Sequence, residues 1–282
     1  MKVAEAMTPG DDVVTVSLPG TRDDVLEYLQ ERAFSSVPVV KISDGEERYR
    51  GLVSRESLIE NPDEDQLALL MEEVPTTSTD ADIVEVARRI SETGERRIPV
   101  VNGGTLEGII TVTDVVRAIA DGRANGDLPV GDLANRDINT VYIDTPLTIA
   151  MREIDYANVP YAIVLDETGE MAGIITEVDI IAVAEVVEGE DDTGESIANQ
   201  DDEWMWEGIK AVGNRYLPTR NVDFPNTPVR NYMTEDVLTV SGSRTARETA
   251  GMMLDNDIKQ IPMMNGDELT GVVRDIDLLS GL

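Results

Sequence analysis

The chain has 282 residues with 56 acidic and 23 basic side chains, no histidine and no cysteine, giving a formal net charge of −33. That length holds two domains with sizeable cores, and 41% hydrophobic residues with only 4% aromatics point to aliphatic cores rather than disorder. The composition excludes disulfides, Cys/His zinc sites, thiol nucleophiles and an imidazole general base, and it disfavours non-specific contact with nucleic acid or anionic lipid.

The acidic residues are spread along the whole chain rather than gathered in a tail. Two readings follow: a solvated surface suited to concentrated salt, or an acidic face for a basic partner. Salt adaptation carries an expected result. Thermal unfolding should shift to lower temperature as KCl falls from molar levels to dilute buffer, and unchanged melting would favour the partner surface. The first residues, Met1-Lys2-Val3-Ala4-Glu5, show no apolar signal region, and no uncharged run approaches membrane-spanning length. A cytoplasmic chain that does not enter a membrane is expected.

Taken in chain order, one pattern recurs four times. It opens with Val13-Val14-Thr15-Val16, a short extended stretch, followed by a helical segment. Then comes Val37-Pro38-Val39-Val40, a strand whose first positions tolerate the missing N–H of proline. After a polar turn, Gly51-Leu52-Val53 starts a second strand, and another helix follows. The second copy has Thr76, a helix with Ile83, Val86, Ala87 and Ile90 on one face, then Ile98-Pro99-Val100-Val101 and Gly108-Ile109-Ile110. Its last helix covers Val115-Val116-Arg117-Ala118-Ile119-Ala120. The third copy has Thr140, Val159-Pro160-Tyr161-Ala162 and Gly173-Ile174-Ile175; the fourth has Thr239, Ile261-Pro262-Met263-Met264 and Gly271-Val272-Val273. Such a β-α-β-β-α unit is too small to bury both faces of its sheet, so copies are expected to pair.

The copies divide the chain at 1–60, 61–121, 122–186 and 229–282, with an insert at 187–228. Copies 1 and 2 form one expected module, and copies 3 and 4 the other. The insert carries Trp204, Trp206 and Tyr216. These could dock a partner or cover a cleft, or simply anchor a long linker to the surface.

These landmarks resemble CBS domains, named after cystathionine β-synthase, which pair into Bateman modules. The resemblance implies an α/β (α+β) fold of four CBS repeats in two pseudo-symmetric modules, similar to archaeal relatives of the regulatory γ subunit of AMP-activated protein kinase. It also implies clefts for adenosine-containing ligands: AMP, ADP, ATP or S-adenosylmethionine. The family signature is glycine, two apolar residues, Ser or Thr, two variable residues and Asp. The aspartate receives the ribose hydroxyls, and the Ser/Thr hydroxyl contacts a phosphate. Repeat 2 has it complete, ending in Thr111 and Asp114, as does repeat 3, ending in Thr176 and Asp179. Repeat 4 keeps Asp277 but has Arg274 for the hydroxyl, an arginine that could pair with a phosphate or fill the space. Repeat 1 has Ser57 where the carboxylate belongs, so its site is expected to be empty or altered.

The same spacing fits a helix capping box, which would account for Thr111-x-x-Asp114 and Thr176-x-x-Asp179 without any ligand. Arg96 and Arg97 before Ile98, and Lys259 before Ile261, fall where relatives approach the phosphates; they could equally balance nearby carboxylates. The site residues implied by the resemblance are Thr111, Asp114, Thr76, Ile98 and Arg97 in repeat 2. Repeat 3 supplies Thr176, Asp179, Thr140 and Val159; repeat 4 supplies Asp277, Arg274, Thr239, Ile261 and Lys259. The expected function is a non-catalytic regulatory protein, monomer or homodimer, that binds an adenosine-containing small molecule and signals to a protein partner. The alternative is a ligand-free scaffolding module acting through protein contacts.

Overall fold

The computed structural model describes residues 1–31, 36–43, 46–54, 57, 64–183, 185–188, 209–212, 215–218 and 220–282. Repeat 1 contains β1 (Thr8–Pro9), β2 (Val16–Leu18), α1 (Arg22–Glu31), β3 (Ser36–Ser43) and β4 (Glu46–Ser54). The short helix α2 (Leu67–Leu70) leads into repeat 2, with α3 (Ile83–Thr93), β5 (Arg97–Asn102), β6 (Thr105–Thr111) and α4 (Val112–Ala120). Helix α3 begins where the Asp82 carboxylate accepts from the Val84 N–H at 3.0 Å and ends at Gly94, whose φ of 76° needs a residue without a side chain. The expected stripe of Ile83, Val86, Ala87 and Ile90 is its buried face.

Repeat 3 contains β7 (Thr140–Tyr142), α5 (Leu147–Ala157), β8 (Tyr161–Leu165), β9 (Met171–Thr176) and α6 (Glu177–Ala182). The insert adds β10 (Glu185–Glu188), β11 (Ile209–Val212), β12 (Arg215–Pro218) and β13 (Arg220–Asp223), paired as β10–β13 and β11–β12. Strand β10 thus straddles the boundary that the sequence places at 186. Trp204 and Trp206 lie outside the described residues, and Tyr216 is in β12. Repeat 4 contains β14 (Val240–Ser241), α7 (Ala246–Asp255), β15 (Gln260–Asn265), β16 (Glu268–Arg274) and α8 (Asp275–Leu278).

Each proline strand pairs with the strand that carries the glycine, but Gly51, Gly108, Gly173 and Gly271 lie within β4, β6, β9 and β16 rather than at their starts, where the sequence pattern has them. Strand β3 runs antiparallel to β4, β5 to β6, and β8 to β9, while β15 adjoins β16. The upstream threonine marks the start of a further strand in parallel with the proline strand: Thr140 opens β7, while Thr15 and Thr239 directly precede β2 and β14. In repeat 2 that strand shrinks to a single bridge, Thr77 with Val100. Strands of repeats 1 and 2 join in one six-stranded sheet.

The chain forms two compact units: Met1–Arg136 with Thr239–Asn265 and Thr270–Leu282, and Asp137–Leu238 with Gly266–Leu269. In the first, repeats 2 and 4 share a core. Helix α4 packs on α7, and Ile90, Ile98, Ile119, Met253, Ile261 and Leu278 belong to the same buried cluster. Repeat 1 has its own core around Val25, Leu29, Val37 and Leu67. In the second unit, Leu147, Ile154, Val164 and Ile175 form the centre, with Phe224, Tyr232 and Met233 packed against them.

The segment leading into each repeat does not lie on that repeat. Thr8 and Pro9 pair with Ile109 and Gly108 of repeat 2, and the Val3 N–H donates to the Ala81 carbonyl at 3.0 Å. In return Leu52 of repeat 1 and Glu72 exchange two backbone hydrogen bonds of 3.0 and 2.8 Å. Asn135, in the leading segment of repeat 3, exchanges two of 2.9 Å with Val272. Within the second unit, Thr234, in the leading segment of repeat 4, exchanges bonds of 3.0 and 2.9 Å with Ile174 of repeat 3. This exchange explains the recurrent glycine. A Cβ on Gly51 would stand 2.6 Å from the Glu72 carbonyl oxygen, on Gly173 2.6 Å from that of Thr234, and on Gly271 2.9 Å from that of Asn135; Gly108 is as tightly covered by Thr8. Only a residue without a side chain admits the incoming backbone.

Candidate functional site

A cleft of about 180 Å3 lies in the first unit, between repeats 1 and 2. Repeat 1 supplies Asp12, Val13 and Val14, which precede β2, and Ser36, Val37 and Pro38 from the start of β3. Repeat 2 supplies Arg97, Ile109 and Thr111, and the exchanged residue Thr8 closes the edge. Apolar Val13, Val14, Val37, Pro38 and Ile109 share the walls with the charged Asp12 and Arg97 and the hydroxyl residues Thr8, Ser36 and Thr111, a mix compatible with a small-molecule site. Arg97 reaches across the repeat boundary, its Nη1 donating to Ser36 Oγ at 3.4 Å.

Thr111 caps helix α4. Its backbone N–H and its Oγ1 both donate to Asp114 Oδ2, at 2.9 and 2.7 Å, and its Oγ1 accepts from the Asp114 N–H at 3.3 Å. The other carboxylate oxygen, Oδ1, accepts from Arg117 Nη1 at 3.2 Å. The Asp114 side chain is 9% exposed and that of Arg117 52%, so the carboxylate is fixed while its cation sits in solvent. Thr176 and Asp179 repeat the cap with bonds of 2.9, 2.7 and 3.4 Å. The capping box read from the spacing is therefore present in both copies.

The two remaining copies depart from this pattern in opposite ways. In repeat 1 Ser57 is buried, and its hydroxyl accepts from the Ser54 N–H at 3.0 Å and donates to the Ser54 carbonyl at 2.9 Å. A hydroxyl here completes the cap but brings no charge. In repeat 4 Arg274 replaces the threonine and grips Asp277 with both Nε and Nη2, at 2.7 to 3.2 Å. The two side chains are 27% and 11% exposed.

Other residues named from sequence fall in varied places. Arg97 and Thr111 meet in the cleft. Ile98 and Ile261 are fully buried in the shared core, because alternate strand residues face the helices. Thr76 is half-buried, and its carbonyl accepts from Arg89. Thr140 and Thr239 are exposed, as is Lys259, and Val159 is half-buried. Arg96, next to Arg97, pairs instead with Asp275 of repeat 4. The sequence signature groups site residues within one repeat, so it does not mark Thr8, Val13, Val14 and Val37, which come from the neighbouring copy. The sequence does carry a signal: Met7-Thr8 and Met233-Thr234 recur in the leading segments of repeats 1 and 4. Among the described residues no acidic cluster is arranged to hold a metal ion, and no helix is long and apolar enough to cross a membrane.

Comparison with known proteins agrees with this architecture. The CBS domain model matches residues 3–64, 68–121, 130–185 and 229–282. An uncharacterized protein of Methanocaldococcus jannaschii, MJ1404, is 26% identical over 98% of this chain, which spans 61% of that relative's length. The crystal structure of an uncharacterized conserved protein from Pyrococcus horikoshii superposes with a TM-score of 0.70 at 25% identity, covering 99% of both chains. MJ1225 of Methanocaldococcus jannaschii, described as a proposed archaeal homologue of g-AMPK, superposes with a TM-score of 0.66 at 19% identity, again over 99% of both. With four matches spread along most of its length, this chain belongs to the CBS domain family.

Proposed function

We propose that the protein is a non-catalytic regulator that binds an adenosine-containing ligand, such as AMP, ADP, ATP or S-adenosylmethionine, and signals its occupancy to a protein partner. Repeats 1 and 2 act as one ligand-binding module, and repeats 3 and 4 as the other. The observation that carries this reading is the cleft of repeats 1 and 2. Its lining combines Thr111 and Arg97 with the apolar Val13, Val14, Val37 and Pro38, and includes Asp12. An apolar slot suits a purine ring, and a hydroxyl with a guanidinium suits a phosphate or carboxylate. In a chain of net charge −33, a local cation is what admits an anionic ligand. Occupancy then shifts the balance between arrangements of the repeats, which a partner reads through its own differential affinity.

Calorimetric titration of the full chain with AMP, ATP and S-adenosylmethionine at high salt tests the reading. Asp114→Asn and Asp179→Asn should each weaken binding at their own repeat by about 10-fold or more, since hydrogen bonds to a charged acceptor contribute roughly 1.5–3 kcal/mol. Asparagine still accepts one capping bond, so the stability cost should stay near or below about 1 kcal/mol. Thr111→Val should weaken AMP more than adenosine, and Ser57→Ala should leave binding alone. A lower melting temperature with superimposable titrations would reduce Thr111 and Asp114 to a helix cap and favour the scaffolding alternative.

A further inference from the structure

We infer that repeat 4 is a ligand-free structural copy, closed to ribosides by its own Arg274. This rests on the reading that repeats 2 and 3 take an adenosine ligand, and it fixes which copies do not. The four signatures form a graded series. Repeat 1 lacks the carboxylate, with Ser57 in its place. In repeat 2 Asp114 has one oxygen on the Thr111 cap and the other on an arginine that is 52% exposed and readily exchanged for solvent. In repeat 3 no arginine stands one turn beyond Asp179, where Ala182 occupies the position of Arg117. Repeat 4 alone has a guanidinium in place of the capping hydroxyl, and it holds both oxygens of Asp277 by Nε and Nη2. A guanidinium fork on a carboxylate uses the same lone pairs that two vicinal hydroxyls would need. With Asp277 11% exposed and Arg274 27%, neither charge can leave the other cheaply.

A second observation points the same way. Asp275, where repeat 2 has Val112, is 6% exposed, and its carboxylate pairs with Arg96 of repeat 2. Its Oδ1 also accepts from the Ile276 N–H at 2.8 Å. Both carboxylates at the start of α8 are therefore committed to arginines, one within the repeat and one from repeat 2, above the core that the two repeats share.

Titration of the full chain with AMP and with S-adenosylmethionine, for the parent, Asp277→Asn and Arg274→Thr, tests this. Asp277→Asn should melt at lower temperature yet change affinity by less than about twofold, with no loss of stoichiometry, whereas Asp114→Asn loses about 10-fold or more at its site. Arg274→Thr restores the residue that repeats 2 and 3 use and should add one bound molecule per chain. Loss of a site in Asp277→Asn, or no added site in Arg274→Thr, would overturn the inference while leaving the proposed function standing. If the parent binds neither probe, the proposed function fails. The lock is then judged on Arg274→Thr alone, a gained site supporting it and no gain overturning it.

Discussion

Gly173→Val is expected to destabilise the second unit by about 3 kcal/mol. The first atom added would stand 2.6 Å from the Thr234 carbonyl oxygen, a backbone atom with no rotamer to escape into. Relief requires the exchanged segment to move away, and that breaks the paired hydrogen bonds of 3.0 and 2.9 Å between Ile174 and Thr234. Overpacking contributes roughly 1–3 kcal/mol and each lost bond roughly 0.5–1.5. Gly251, within helix α7, is the internal control: no atom lies within 4 Å of an added Cβ. Gly251→Ala should therefore stabilise by roughly 0.5–1 kcal/mol, the ordinary helix propensity difference. Urea unfolding of the two variants checks both signs. Equal effects would show that the recurrent glycine is not there for the incoming strand.

Ile119→Ala should cost roughly 2–5 kcal/mol, the range for deleting a large aliphatic side chain from a closed core. Ile119 is fully buried in α4, and its Cγ2 would lie 2.8 Å from a Cβ at Gly126, so the chain beyond the helix folds tightly against it. The cavity opens in the cluster that repeats 2 and 4 have in common. Probes in either repeat should therefore report the same shifted transition. Val84→Ala, on the outer face of α3 where Val84 is 44% exposed, should stay within about 0.5 kcal/mol of the parent. Separate transitions for repeats 2 and 4 in Ile119→Ala would contradict a shared core.

Much of the fold was legible because it is local. Proline and glycine punctuate the paired strands of every repeat, and the period of Ile83, Val86, Ala87 and Ile90 is that of the helix they form. The capping spacing of Thr111 and Asp114 was legible for the same reason, since the partners are three residues apart. What could not be read is carried by contacts distant in sequence. Thr8 meets Gly108 a hundred residues later through a two-residue strand, too short to have a periodicity of its own. Arg96 offered the sequence no sign that its partner was Asp275. The paired strands Glu185–Glu188 and Arg220–Asp223 are not legible in the sequence, because charged residues and an intervening polar stretch hide the alternation that marks a strand.

The exchange of leading segments bears on how such a chain can be inherited. Each of repeats 1 and 2 is finished by the leading segment of the other, so a cut in the coding sequence at the boundary between residues 60 and 61 leaves neither copy complete. A lineage that lost repeat 1 together with its first nine residues would leave Gly108 uncovered and the backbone of β6 without its edge strand, a surface prone to unintended pairing. Gene duplication meets the same barrier, because an added single copy would arrive with a strand belonging elsewhere. Viable gains and losses are therefore expected to come as pairs, and chains of this kind to carry even numbers of copies.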